Sequence, residues 1–152
     1  MDKIQKQESI DHLNLLLKRN YDAEAGFKEA AEKVEHSLLA DYFKGSAHQH
    51  YTFGHELKEE IVKLDGKPNK GTSLEGDVHR IWMDLKEMVA KRDHKAMLKE
   101  CDRGEKTALE AYERILEEDT LTPSALKVVQ KQRDTITQNI RHIENLLENI
   151  NK

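Results

Sequence analysis

Residues 122–150, TPSALKVVQKQRDTITQNIRHIENLLENI, decide the fold. Thr122 followed by Pro123 marks a helix start twice over. The threonine hydroxyl can accept from the free N–H groups of the first turn, and proline's missing N–H costs nothing at the first helical position. Beyond them Leu126, Val129, Ile136, Ile140, Ile143, Leu147 and Ile150 recur at three- and four-residue steps or their multiples, a single apolar stripe along one helix. A helix with one apolar stripe and charge elsewhere is stable only when the stripe lies against other helices.

The same spacing recurs along the chain. Ile10, Leu13, Leu17, Phe27, Ala31 and Val34 predict a first helix beginning near position 10, with Ser9 as its N-cap. Leu39, Phe43, Ala47, Phe53, Leu57, Ile61 and Leu64 predict a second over 36–64, stopped by the loop DGKPNKG at 65–71. Two further stripes follow, Val78, Ile81, Trp82, Leu85 and Val89, then Leu98, Cys101, Ala108, Tyr112 and Ile115. Leu85 and Leu98 are 13 residues apart, about 3.6 turns, which sets the two stripes on nearly opposite faces of any straight helix. The chain must therefore break near Lys91 to His94, where Asp93 is a suitable cap. The expected fold is all-α, a four-helix bundle with an extra short helix, or a bent third helix, around 74–91. Residues 1–152 form one domain of this kind, in which one link can become a crossover.

Composition narrows the function. Charged residues make up 36% and hydrophobic residues 37%, with seven Gly and two Pro, the balance of long helices with solvated outer faces. A net charge of -4 with lysines interleaved among acids offers no field for phosphate backbones, so no nucleic acid partner is expected. No stretch approaches the roughly 18 consecutive apolar residues of a membrane span, and the first ten residues have no apolar core of a signal peptide. Cys101 is the only cysteine and has no partner for an internal disulfide. A cytoplasmic protein is expected.

Counting the first helix's seam onward at three and four places Asn20 and Glu24 where apolar residues belong; the same count through Leu98 and Cys101 places Glu105 there. A bare carboxylate in a bundle core costs several kcal/mol, so each must be paired, protonated or metal-bound. One reading makes Glu24, Glu56 and Glu105, with His50, ligands for iron or zinc. Glu56 can turn inward or to solvent according to topology: if the helices alternate in direction Glu105 levels with Glu24, and if the 74–91 helix is a crossover Glu105 lies nearer Glu56. The other reading is a polar layer that fixes helix register, its acids meeting Gln49, Gln132, Arg133, Asn139 or a tyrosine hydroxyl. No Glu-x-x-His occurs anywhere in the chain, and the last helix offers Gln132, Thr135 and Asn139 near its middle, none a strong metal ligand. The expectation is a non-enzymatic bundle, stress-related or scaffolding, that forms a homo-oligomer or binds a protein partner through a helix face. The alternative is a metal-binding protein.

Other motifs reduce to structure. His48, His50 and His55 are never three or four apart, so no two share a helix face at chelating distance. Glu75 and His79 have that spacing but sit near a helix start, where an acid serves the dipole. Cys101 between Glu100 and Asp102 is in acidic company that discourages a thiolate. The run GKPNKGTS at 66–73 follows a helix and lacks the lysine after its second glycine, so it is a linker and not a phosphate loop.

Four stretches, YDAEAGFKEAAE (21–32), FGHELKEEI (53–61), VHRIWMDLKE (78–87) and ECDRGEKTALEAYE (100–113), resemble an uncharacterised bacterial ferritin-like family, a domain of unknown function. The resemblance covers nearly the whole chain. It implies a ferritin-like fold and a bacterial cytosolic setting, brings no established activity, and places the family's recurrent acids on Glu24, Glu56, Glu100 and Glu105. Members often carry Gln-Arg at the centre of the second helix and a histidine late in the last, where this chain has Gln49-His50 and Ile140.

Overall fold

The computed structural model of the chain describes residues 2–70 and 77–150. It contains helices α1 (Lys3–Lys33), α2 (Ser37–Lys63), α3 (Asp77–Ala90), α4 (His94–Glu118) and α5 (Pro123–Asn149). Local chemistry sets most of the boundaries. Thr122 caps α5 by accepting from the Ala125 amide at 3.2 Å, and Asp93 caps α4 by accepting from the Ala96 amide at 3.0 Å. The His36 ring performs the same service for α2 at the Leu39 amide, 3.3 Å away. α3 and α4 are separate helices and not one bent rod. Arg92 between them takes φ 59°, and the Asp93 amide bonds the Met88 carbonyl at 3.2 Å.

α1 begins earlier than its apolar stripe. Asp2 accepts from the Gln5 amide at 2.8 Å and caps the helix, leaving Ser9 inside it. Ser9 is fully buried, and its hydroxyl donates to the Thr120 carbonyl. The extension was silent in the pattern because its first turns face water, with Ile4 72% exposed. Of the short helix expected from 74, residues 74–76 lie outside the described residues, and Glu75 of the Glu75–His79 pair lies there too.

The core divides into two apolar clusters, and their membership gives the helix directions. Ile10 and Leu13 of α1, Leu57 and Ile61 of α2, Tyr112 and Ile115 of α4, and Ala125 and Val129 of α5 form one. Phe27, Leu39, Phe43, Met97, Leu98 and Ile143 belong to the other. α2 and α4 therefore run parallel, with α1 and α5 opposed to them, and the link from α2 to α4 must cross the length of the bundle. α3 lies on that crossover and packs against α1 and α4, with Leu85 and Val89 in the second cluster. Each fully buried Leu, Ile or Phe contributes about 1.5–3 kcal/mol, so these clusters carry the fold.

Trp82 anchors α3 in a seat cut by two glycines. A β-carbon at Gly26 would lie 2.4 Å from its indole Cε3, and one at Gly104 would lie 3.4 Å from Cη2. The ring meets Phe27 edge-on, with centroids 5.0 Å apart.

Candidate functional site

Between the two clusters runs a layer of buried polar side chains from α1, α2, α4 and α5. Its bonding directions follow from two backbone carbonyls, which can only accept. Gln132 Nε2 donates to the Phe53 carbonyl at 3.2 Å and to Glu56 Oε1 at 3.0 Å. Its amide oxygen must then face Tyr112, whose hydroxyl donates to it at 2.6 Å. The Tyr112 oxygen in turn accepts from Asn20 Nδ2 at 2.8 Å, and the same nitrogen donates to the Leu16 carbonyl at 2.8 Å. With that amide pinned, Asn20 Oδ1 faces His50 Nδ1 at 2.7 Å, so Nδ1 carries a hydrogen.

The other ring nitrogen, Nε2, lies 2.9 Å from Glu105 Oε1, and His50 and Glu105 are each only 2% exposed. A lone pair on Nε2 facing an ionised carboxylate would repel it, so one proton occupies this contact whichever partner holds it. Glu105 Oε2 accepts from Asn139 Nδ2 at 3.4 Å, and the same nitrogen reaches Gln49 Oε1 at 2.5 Å. Phe27 stacks on the His50 ring at 5.7 Å and Phe53 meets it edge-on at 5.9 Å. The layer is thus a continuous chain of hydrogen bonds from Glu56 to Gln49, closed above and below by apolar side chains.

The burial that holds the layer also shifts its neighbours. The Tyr112 phenol is pushed up chiefly by burial, with the Glu105 and Glu56 carboxylates adding to the effect and the Asn20 bond opposing it. The Cys101 thiol, fully buried, is raised by burial first and then by Glu105, Glu100 and Asp102. It behaves as a small apolar group, as its acidic company predicts.

The four expected site residues separate. Glu105 and His50 meet directly, and half-buried Glu56 joins them only through Gln132, Tyr112 and Asn20. Glu24 is not in the layer. It is half-buried on the outside of the α1–α2 pair, lining a recess with Tyr21, Lys28, Tyr51 and Lys58. The core seam of α1 passes instead through Asn20, Ala23, Phe27 and Ala30. Of the expected polar partners, Gln49, Gln132 and Asn139 take part; Arg133 is turned to Asp134 at 2.7 Å. His48 and His55 are exposed. Glu100 stands on the α3 side, held by Arg103 at 2.9 Å, and Arg103 also grips Asp84 at 2.7 Å. Burial raises the Glu100 carboxyl, and Arg103 partly offsets this.

Asn20, placed on the core seam by its spacing, is 2% exposed and links His50 to Tyr112. One buried acid had no such signal. Glu60, 3% exposed, receives the Ser124 hydroxyl and pairs with Lys63 at 3.3 Å, near the first turn of α5. A serine one residue after a helix-starting proline gives no hint of a distant acid.

The donor set does not fit a dinuclear carboxylate centre. Such centres in four-helix bundles draw a Glu from each of two helices and Glu-x-x-His from the other two. Here Asn20, Gln132 and Asn139 occupy the layer on α1 and α5, and both His50 nitrogens are already engaged. Among the described residues no group of three or more His, Cys, Asp and Glu side chains is placed to hold a metal ion.

Comparison with known proteins places this geometry. A family model described as "Domain of unknown function (DUF2383)" matches residues 8–118. No curated protein sequence matches the chain. A solved crystal structure described as "ferritin like, diiron-carboxylate proteins from Bacillus anthracis str. Ames" superposes with a TM-score of 0.71 at 21% identity, covering 97% of this chain and 99% of that one. The fold is an all-α ferritin-like bundle. Among the described residues no helix is long and apolar enough to cross a membrane.

Proposed function

The chain belongs to the DUF2383 family, and we propose that it serves as a non-enzymatic, self-associating cytosolic bundle whose polar layer replaces a metal centre with hydrogen bonds. The observation that supports this is closure of the layer: Asn20, His50, Glu105, Tyr112 and Gln132 satisfy one another inside the core. Such a layer fixes which residues of the four long helices stand level, because any slip of one helix strands several buried polar groups at once. The lone cysteine, buried and unpaired, accords with a reducing compartment.

The surface for association is the outer face of α2. His48 and Tyr51 stack at 6.3 Å, Tyr51 and His55 pack edge to face at 4.4 Å, and Val62 further along is 60% exposed. Aromatic side chains presented in a row supply contact area at small entropic cost.

Native mass spectrometry of protein from cells supplemented with iron and zinc reads both halves. The expected result is a metal-free dimer that Tyr51→Glu with Val62→Glu converts to monomer. Stoichiometric metal that Glu105→Gln abolishes contradicts the first half; a monomer at every concentration contradicts the second.

A further inference from the structure

At the end of the bundle where α1 leads into α2 and α3 into α4 lies a recess of about 470 Å³ with no part in the polar layer. We infer that it binds a small phosphate monoester, with the phosphoryl group among Lys33, Lys86, Arg92, His36 and His94 and the organic part against Val34, Val89 and Met97.

The charge balance supports an anion. Lys33, Lys86 and Arg92 line the recess with one acid, Glu35, and Glu29 stands at its rim, so three cations face two carboxylates in a chain whose net charge is -4. The cations come from separate segments: Lys33 from the last turn of α1, Lys86 from α3, and Arg92 from the α3–α4 turn. Their existing carboxylate partners are surface pairs: Lys33 and Lys86 share Glu29 at 2.9 and 3.1 Å, and Arg92 meets Glu35 at 3.0 Å. Exposed pairs of this kind exchange readily for a better anion. Hydrogen bonds from Lys33 and then Lys86 pull the Glu29 carboxyl below its ordinary range, a sign of the cationic field at this rim.

His36 and His94 add ring nitrogens. Their centroids lie 4.8 Å apart, edge to face, and neither ring bonds a carboxylate among the described residues. Donors from several directions match a tetrahedral dianion better than a planar carboxylate. The volume exceeds what inorganic phosphate fills and falls in the usual range for small organic ligands, and Met97 and Val89 give it an apolar wall.

Arg92 gives the proposal a clean test. It holds the left-handed conformation that closes α3, where glycine is the cheaper residue, so Arg92→Gly removes the cation without endangering the fold. Lys86, with its side chain 47% exposed, tolerates Lys86→Glu. Phenyl phosphate and inorganic phosphate are titrated into the full chain and followed by amide shifts in ¹H–¹⁵N spectra.

The expected result is saturable shifts centred on His36 and His94, tighter binding of phenyl phosphate than of phosphate, and about a tenfold loss of affinity in each variant. Rising salt should weaken binding, since the cations are exposed. Shifts that do not saturate, equal affinity for the two probes, or unchanged binding by the Arg92→Gly and Lys86→Glu double variant overturns the proposal. So do saturable shifts that map elsewhere on the bundle.

Discussion

Replacing Glu105 with alanine is expected to destabilise the bundle by about 3–5 kcal/mol, because it removes one member of a buried pair and leaves the other unsatisfied. His50 Nε2, in a ring only 2% exposed, loses its partner at 2.9 Å, and Asn139 loses its contact at 3.4 Å. Glu105→Gln should cost less, roughly 1–3 kcal/mol, since an amide oxygen can still accept from His50 while the charge is lost. Urea unfolding in metal-free buffer at neutral pH measures both. The midpoints should fall in the order wild type, Gln, Ala with the denaturant slope unchanged. An alanine variant within about 0.5 kcal/mol of wild type, the ordinary range of a neutral surface change, would mean that the layer does not support the fold.

The second large effect lies across α3. Gly26→Ala places a methyl group 2.4 Å from Trp82 Cε3 and 2.6 Å from Cδ2, contacts no structure tolerates. The indole is bounded by Phe27, whose ring centroid stands 5.0 Å from its own, and by α4 at Gly104, where a β-carbon would lie 3.4 Å from Cη2. Overpacking of this kind costs about 1–3 kcal/mol, more where the neighbour is rigid, and outweighs the better helix propensity of alanine. Gly45 is the control: nothing lies within 4 Å of a β-carbon there, so Gly45→Ala should stabilise by about 0.5–1 kcal/mol. Trp82 is the only tryptophan, so its fluorescence reports the seat directly. The Gly26 variant should show red-shifted emission with a lower melting temperature, and the Gly45 variant unchanged emission with a higher one. Unshifted emission from a stable Gly26→Ala protein would contradict the packing described for α3.

The long helices and the caps at Asp93 and Thr122 were legible in the sequence because their causes are local: stripe spacing, a cap side chain, a proline. The failure at Glu24 is one of step order. Asn20 and Phe27 are both buried as counted, but the count stepped four residues and then three between them, whereas the helix turns the residue three after Asn20, Ala23, to the core and leaves Glu24 beside it. Of the three histidines in one run, the helix sends His48 and His55 to water and His50 alone to the core, a difference their shared stretch of sequence does not show. Which residues meet across the layer depends on helix direction, and that is set by the crossover through α3, a tertiary fact with no local signature. Before that direction was known, Glu105 had two candidate partners, Glu24 and Glu56; in the structure it meets neither, and His50 lies between it and Asn20.

If hydrogen bonds alone satisfy the layer, the His50 ring keeps one state with or without metal. Two pinned amides require a hydrogen on Nδ1 donated to Asn20. In ¹⁵N-labelled protein purified from iron- and zinc-supplemented cells, the expected spectrum shows an Nδ1–H proton at His50 that exchanges slowly with water, unchanged by chelator or by added zinc. A His50 ring without a hydrogen on Nδ1, gaining one only when metal is stripped, would contradict it.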